Sequence, residues 1–321
     1  MYNYRELCER VIKDYDIPVY YIDQDQFKEV VETVDISRKF QTAFDTAHNY
    51  LSLNGKTVDE FSKDIRQTTE SIINYITHIT NYKAFCEADI PETSFEKEIL
   101  GKRYTKALDL YIQPNVGKSF ISIDITHANE SAMLYSGATS FTFKELVKMC
   151  VPNELGSKHL IDYIASSKHL RQVVYGNTCP KKQAQVERLM TEQLLRNLKS
   201  KGVTNDDLYG YTTDEIILNY TPNTYFITDG KLDFVDYVLD NLGFKVHVDL
   251  FTLSRIEPHA FYVKERPNLK PTFKNIPKKY MAQAVKHYFN KPITGNDLRF
   301  IMDSDVVRFE KPLWWKVHKM F

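Results

Sequence analysis

Three carboxylates sit where apolar, strand-like runs end: Asp124, Asp214 and Glu215. The first closes the run Ser119-Phe120-Ile121-Ser122-Ile123-Asp124. The other two form a tight tip between Leu208-Tyr209-Gly210-Tyr211 and Ile216-Ile217-Leu218. Carboxylates at the ends of buried strands are costly unless something cationic pairs with them. A divalent metal ion is one such partner, and hard oxygen ligands suit Mg²⁺ or Mn²⁺. If the two runs lie side by side, the three acids converge. They could then hold two metals, the arrangement used for in-line phosphoryl displacement. Each acid alone reads more readily as an ordinary turn residue capping a strand. The acids taken together, with the segment that separates them, favour the metal reading.

That separating segment is basic and mainly helical. Residues 158–200 carry Lys158, Lys168, Arg171, Lys181, Lys182, Arg188, Arg196 and Lys199. Tyr175-Gly176-Asn177 interrupts it, and Pro180 starts a second helix at a position that tolerates proline. Gly202 and Asn205 end that helix before the acidic hairpin. Upstream, residues 4–14, 26–53 and 57–88 repeat apolar side chains every three or four positions, so residues 1–100 form a helical N-terminal region. Lys83, Lys102, Arg103 and Lys106 gather towards its end, facing either phosphates or solvent. Further helices are expected from Glu130 and over 143–149. Downstream, a helix over 232–242 followed by a strand over 244–250 gives a βαβ-like rhythm on the same sheet. The section from about 256 holds the run Lys278-Lys279-Tyr280, a helix over 281–289, and Pro312-Leu313-Trp314-Trp315, which packs against the body.

A chain of 321 residues is long enough for a sizeable core and too long for one small domain. With a net charge of +0 it is no generic polyanion binder, so any nucleic-acid contact comes from local basic patches. Cys8, Cys86, Cys150 and Cys179 lack zinc-ligand spacing and read as free thiols in a reducing compartment. No apolar run is long enough to span a bilayer, which points to the cytoplasm, a host nucleus or a virion, with no membrane partner.

In order, the chain offers a strand ending in an acid, a basic helix with Lys168 and Tyr175-Gly176, and a strand–acid–strand hairpin. Over residues 115–220 this order resembles motifs A, B and C of right-hand nucleic-acid polymerases. Lys168-His169-Leu170-Arg171-Gln172-Val173-Val174-Tyr175-Gly176 is similar to the family B helix motif. Tyr211-Thr212-Thr213-Asp214-Glu215-Ile216 resembles the Tyr-x-Asp-Thr-Asp-Ser turn of that family, and its Asp-Glu pair looks like the family A His-Asp-Glu turn. Lys278-Lys279-Tyr280 faintly resembles a primer-template motif, with one residue fewer.

The resemblance implies an α+β fold. It has the helical N-terminal region (1–100), a palm of antiparallel sheet with packed helices (101–255) carrying short fingers (about 152–202), and a thumb-like C-terminal region (256–321). It implies a template-directed nucleotidyltransferase that adds nucleoside triphosphates to a 3′-hydroxyl. Asp124, Asp214 and Glu215 would bind the metals, Lys168 with Arg171 the triphosphate, and Tyr175 would lie beneath the nascent base pair. Lys278, Lys279 and Tyr280 would touch the template–primer duplex, and an accessory protein could complete so short a chain. Two departures stand out. Thr212 replaces the first motif C aspartate, and Asn129 replaces the tyrosine that excludes a ribose 2′-hydroxyl. A small polar residue at 129 leans towards ribonucleotides.

Rival readings are a template-independent tailing enzyme, or a degenerate palm kept as a nucleic-acid-binding subunit. Lys168 and Arg171 also read as a solvated helix face, and Gly176 as a left-handed helix end. His127 reads as a hydrogen-bonded structural residue, while His247 and His259 lack ligand spacing.

Overall fold

The computed structural model describes residues 2–33, 37–90, 109–153, 156–220, 242–267 and 269–314. A six-stranded antiparallel sheet organises it, in the order β2-β3-β1-β4-β5-β6. The strands are β1 (Ser119–Ile125), β2 (Leu208–Tyr211), β3 (Glu215–Asn219), β4 (Val246–Ile256), β5 (Phe261–Glu265) and β6 (Thr272–Lys274). A separate hairpin pairs β7 (Arg299–Met302) with β8 (Asp305–Arg308). The α+β class expected from the sequence is therefore the class found. The βαβ rhythm is corrected. A βαβ unit gives parallel neighbours, whereas β4 runs antiparallel to both β1 and β5. The helix expected over 232–242 lies outside the described residues, apart from Leu242.

Alternation along β1 sorts its side chains. Ile121, Ile123 and Ile125 point one way, and Phe120, Ser122 and Asp124 the other. The isoleucine side, with Ile216 and Leu218 of β3, packs on Leu194, Leu195 and Leu198 of a long helix, α10 (Pro180–Ser200). Three leucines at one- and three-residue intervals form the stripe that docks α10 on the sheet. The opposite side buries Phe120, Ile217, Phe251 and Tyr262 at one end and carries the acids at the other.

The N-terminal helices are α1 (Tyr4–Asp14), α2 (Gln24–Thr33), α3 (Ser37–Asn54), α4 (Val58–His78) and α5 (Thr80–Glu87). They share one continuous core with α6 (Ala128–Tyr135), α7 (Phe143–Cys150), α8 (Ser157–Ser166), α9 (Lys168–Gly176) and the first turns of α10. Two expected helices are each split. The 26–53 run becomes α2 and α3, and Ser37, at which α3 begins, is a residue type that favours helix starts over interiors. The 57–88 run breaks at Ile79, which is extended (φ −67°, ψ 134°) amid the β-branched Thr77 and Thr80. Thr57 with Glu60 and Thr142 with Glu145 form capping boxes that fix the starts of α4 and α7.

The C-terminal region centres on α11 (Met281–Tyr288) and Trp314, which is 1% exposed and donates its indole N–H to the Glu257 carbonyl at 2.6 Å. The packing expected for the terminal aromatic run thus holds for Trp314, and Trp315 lies outside the described residues.

Candidate active site

Strand pairing brings the acids together. Asp124 of β1 faces Glu215 of β3 across the antiparallel ladder, and the Ile125 amide donates to the Asp214 carbonyl at 2.8 Å. The tip that holds Asp214 is built by Thr212. Its amide donates to the Glu215 carbonyl at 2.7 Å, its hydroxyl accepts from the Glu215 amide at 3.1 Å, and the same hydroxyl donates to Asp214 Oδ1 at 3.1 Å. A threonine closing a turn through its side chain satisfies backbone groups that the hairpin leaves open. Thr212, where the motif resemblance expects an acid, thus shapes the turn and orients the next carboxylate. From behind, Thr191 of α10 donates to the Thr213 carbonyl at 2.7 Å and pins the tip to the helix.

The like charges act on one another. Burial first, then Asp214 and Glu215, push the Asp124 carboxyl up to about 6, while Lys168 and His247 pull it down. That opposing pull places Lys168, the exposed first residue of α9, within electrostatic reach of Asp124. The other two expected nucleotide-site residues of α9 point into the protein. Arg171 is 9% exposed and offset by Glu130, with its charged form disfavoured by burial. Tyr175 is fully buried against Phe143, and its hydroxyl has no hydrogen-bond partner among the described residues. Gly176 stays helical; the left-handed residue of this junction is Cys179 (φ 51°). Asn129 donates to Glu187 Oε1 at 2.9 Å. His127 takes the structural role expected of it, with Nδ1 3.1 Å from Glu130 Oε2.

Glu215 is already engaged. Its Oε1 accepts from the Ser122 hydroxyl at 2.5 Å and lies 3.7 Å from Lys264 Nζ. Lys264 stands over the Phe251 ring at 4.3 Å, so its stem and charge are held by an aromatic face and a carboxylate together. Among the described residues no group of three or more His, Cys, Asp or Glu side chains is disposed to hold a metal ion as it stands.

Four members of this neighbourhood escape a reading of the sequence. His247 lies directly across the ladder from Asp124, although the sequence around it has no ligand spacing. Lys264 and Lys274 come from β5 and β6, and the Lys274 amine is lowered by burial and by Lys264, Lys168 and Arg266. Glu187 is 7% exposed, and burial together with Asp214 raises its carboxyl to about 7. For Glu187 a signal existed: an acid on the apolar face of α10, at helical spacing from Met190, Thr191 and Leu194. For the others none did, because cross-strand register sets their place.

The expected duplex-binding run lies elsewhere. Lys278, Lys279 and Tyr280 form a short 3₁₀ turn. Lys278 stands over the Tyr20 ring at 4.6 Å, Lys279 over Phe300 at 5.8 Å, and Tyr280 stacks on Phe309. None of these partners belongs to the acidic cluster.

Comparison of the chain with protein-family models, curated proteins and solved structures found no match. No helix among the described residues is long and apolar enough to cross a membrane.

Proposed function

We propose that the chain is a template-directed nucleotidyltransferase with a palm-type sheet. The observation that carries this reading is the register placing Asp124 opposite Glu215 on the sheet face away from the leucine stripe of α10, with Asp214 in the adjoining turn. The order acid strand, basic helix, acidic hairpin is thereby joined to a spatial convergence, with Lys168 within electrostatic reach of Asp124.

Asp124 and Asp214 are the residues that would hold a divalent cation. Two mutually repelling, half-buried carboxylates fit one, and Mg²⁺ typically takes one or two protein carboxylates and completes its shell with water and substrate phosphates. Such an ion supplies charge neutralisation and activation of the attacking hydroxyl. The chain's own groups do the positioning. Thr212 orients Asp214, Lys168 neutralises phosphate charge arriving from the side of α9, and Lys264 with Ser122 fixes Glu215.

The deciding experiment is primer extension with Mg²⁺ or Mn²⁺ on DNA and RNA templates, each with dNTPs and NTPs. Template-coded products support the reading, and untemplated tails would favour a tailing enzyme instead. One observation favours a second reading, a catalytically silent nucleic-acid-binding palm: Glu215 is committed to Ser122 and Lys264. Template binding with no product under any condition would select it.

Lys168→Ala is expected to raise the KM for nucleotide roughly tenfold, the loss of about one charge-assisted contact, with little change in template affinity. A weakened template Kd with unchanged nucleotide KM would remove Lys168 from the triphosphate site. Asn129→Tyr is expected to depress ribonucleotide use by roughly 10- to 100-fold relative to deoxyribonucleotides, because the ring fills the space beside a 2′-hydroxyl. Competition between NTP and dNTP in a single reaction reads this directly, and an unchanged ratio would contradict it.

A further inference from the structure

Cys86 of α5 and Cys179, the residue preceding α10, are separated by 93 positions in the chain, yet their sulfurs lie 2.6 Å apart. Both are free thiols and both are partly exposed. Cys8 is fully buried in the core instead, and Cys150 has no thiol partner among the described residues. Burial and the two neighbouring thiols raise the Tyr82 hydroxyl above its ordinary range. Lys182, one turn into α10, donates to the Ala88 carbonyl just past α5 and favours the Cys86 thiolate against the burial that raises it. The same two elements are thus tied by a charged hydrogen bond next to the thiols. Cys179 also holds a left-handed backbone (φ 51°), which glycine or asparagine would adopt at lower cost. A thiol thus occupies a position whose backbone disfavours a side chain.

We propose that Cys86 and Cys179 form an intramolecular disulfide on exposure to a low-molecular-weight disulfide such as oxidised glutathione. One cysteine thiolate attacks the glutathione disulfide, giving a mixed disulfide and one glutathione thiol. The second cysteine then displaces the other glutathione. The protein gives up two protons and two electrons, and one glutathione disulfide becomes two glutathione thiols. The bond clamps α5 to the junction between α9, which carries Lys168, and α10, which carries Glu187 and Thr191. It forms whether or not the acids on the sheet turn over nucleotides.

The test is incubation of the full chain with oxidised glutathione, alkylation, and peptide mass spectrometry without reduction. The expected result is one linked peptide pair, Cys86 with Cys179, two mass units below the sum of its thiol forms. Closing so long a loop should also raise Tm by roughly 5–10 °C, reversed by dithiothreitol. The chain with Cys8→Ser and Cys150→Ser, which retains the pair alone, should behave the same. Cys86→Ser and Cys179→Ser should each lose both the link and the shift. Two free, alkylatable thiols after oxidation would overturn the proposal. So would stable glutathionylation without closure, or links chiefly between molecules.

Discussion

Asp214→Asn is expected to abolish the proposed templated incorporation, by at least about 10³-fold, and to leave the fold as stable as before or slightly more so. The two halves of this expectation have one cause. Burial first, then Asp214 and Glu215, raise the Asp124 carboxyl from 3.8 to about 6, and burial first, then Asp214, raise Glu187 from 4.5 to about 7. A carboxyl raised in the folded state gives up its proton later than in the unfolded chain. Between pH 3.8 and 6 for Asp124, and between 4.5 and about 7 for Glu187, the unfolded chain binds fewer protons, so stability falls as pH rises and stays low above the window. Neutralising position 214 removes a repelling charge from both acids and shrinks that loss. With solvent screening of the partly exposed Asp124 allowed for, the gain is about 0.5–1 kcal/mol near neutral pH. The Thr212 hydroxyl can still donate to the Asn Oδ1, so the tip keeps its shape. The check is a pair of melting curves from pH 4 to 8 beside the primer-extension assay. Mg²⁺ with nucleotide should raise the Tm of the native chain and not of the variant. Full activity in the variant would sink the assignment, and a Tm lower by several degrees would make Asp214 a structural residue.

The backbone frame of this site was legible in the chain because it rests on short-range patterns. Alternation in Phe120-Ile121-Ser122-Ile123-Asp124 gives a strand with one apolar face, and the acidic tip between β-formers gives a hairpin turn, which falls on Thr213-Asp214 and not on Asp214-Glu215 because Glu215 already pairs with Asp124 as the first residue of β3. Convergence of Asp124 with Asp214 followed once the two runs were taken as neighbours. What stayed hidden depends on contacts between distant segments. Lys264 meets Glu215 only because β5 lies beyond β4 in the same sheet, and nothing near position 264 encodes that order. Arg171 and Lys168 look alike on a helical wheel of basic residues, yet burial against Glu130 turns one inward while the other stays exposed. The split at Ile79 shows the same limit. An apolar stripe continues through it, and only packing decides which β-branched residue leaves the helix.

Lys286→Ala is expected to destabilise the fold by about 3–5 kcal/mol, the cost of breaking a buried ion pair from one side. Lys286 is 1% exposed, and its ammonium lies 2.5 Å from Glu29 Oε1 of α2 and 2.9 Å from Asp297. Asp297 is also 1% exposed and accepts from the Thr294 amide at 2.7 Å and hydroxyl at 2.9 Å. Truncation to alanine leaves that carboxylate in the interior with hydrogen bonds but no cation, whereas Glu29, about half exposed, can turn to water. Burial works against the lysine charge, but the hydrogen bonds and charges of Glu29 and Asp297 outweigh it and raise the amine above its ordinary 10.5. The stabilisation is therefore fully present below pH 10.5 and is lost only as pH climbs through the raised value. Urea unfolding at pH 7 measures the loss, and a change under 1 kcal/mol would contradict the buried-pair account. Lys286→Met combined with Asp297→Asn removes both charges and should recover part of it. The pair joins the C-terminal region, through α11, to the N-terminal helix α2. Activity per folded molecule should survive Lys286→Ala at low temperature. Asp214→Asn should show the reverse, with fold kept and activity gone, so comparing the two variants separates a residue that holds the frame from one that acts in the site.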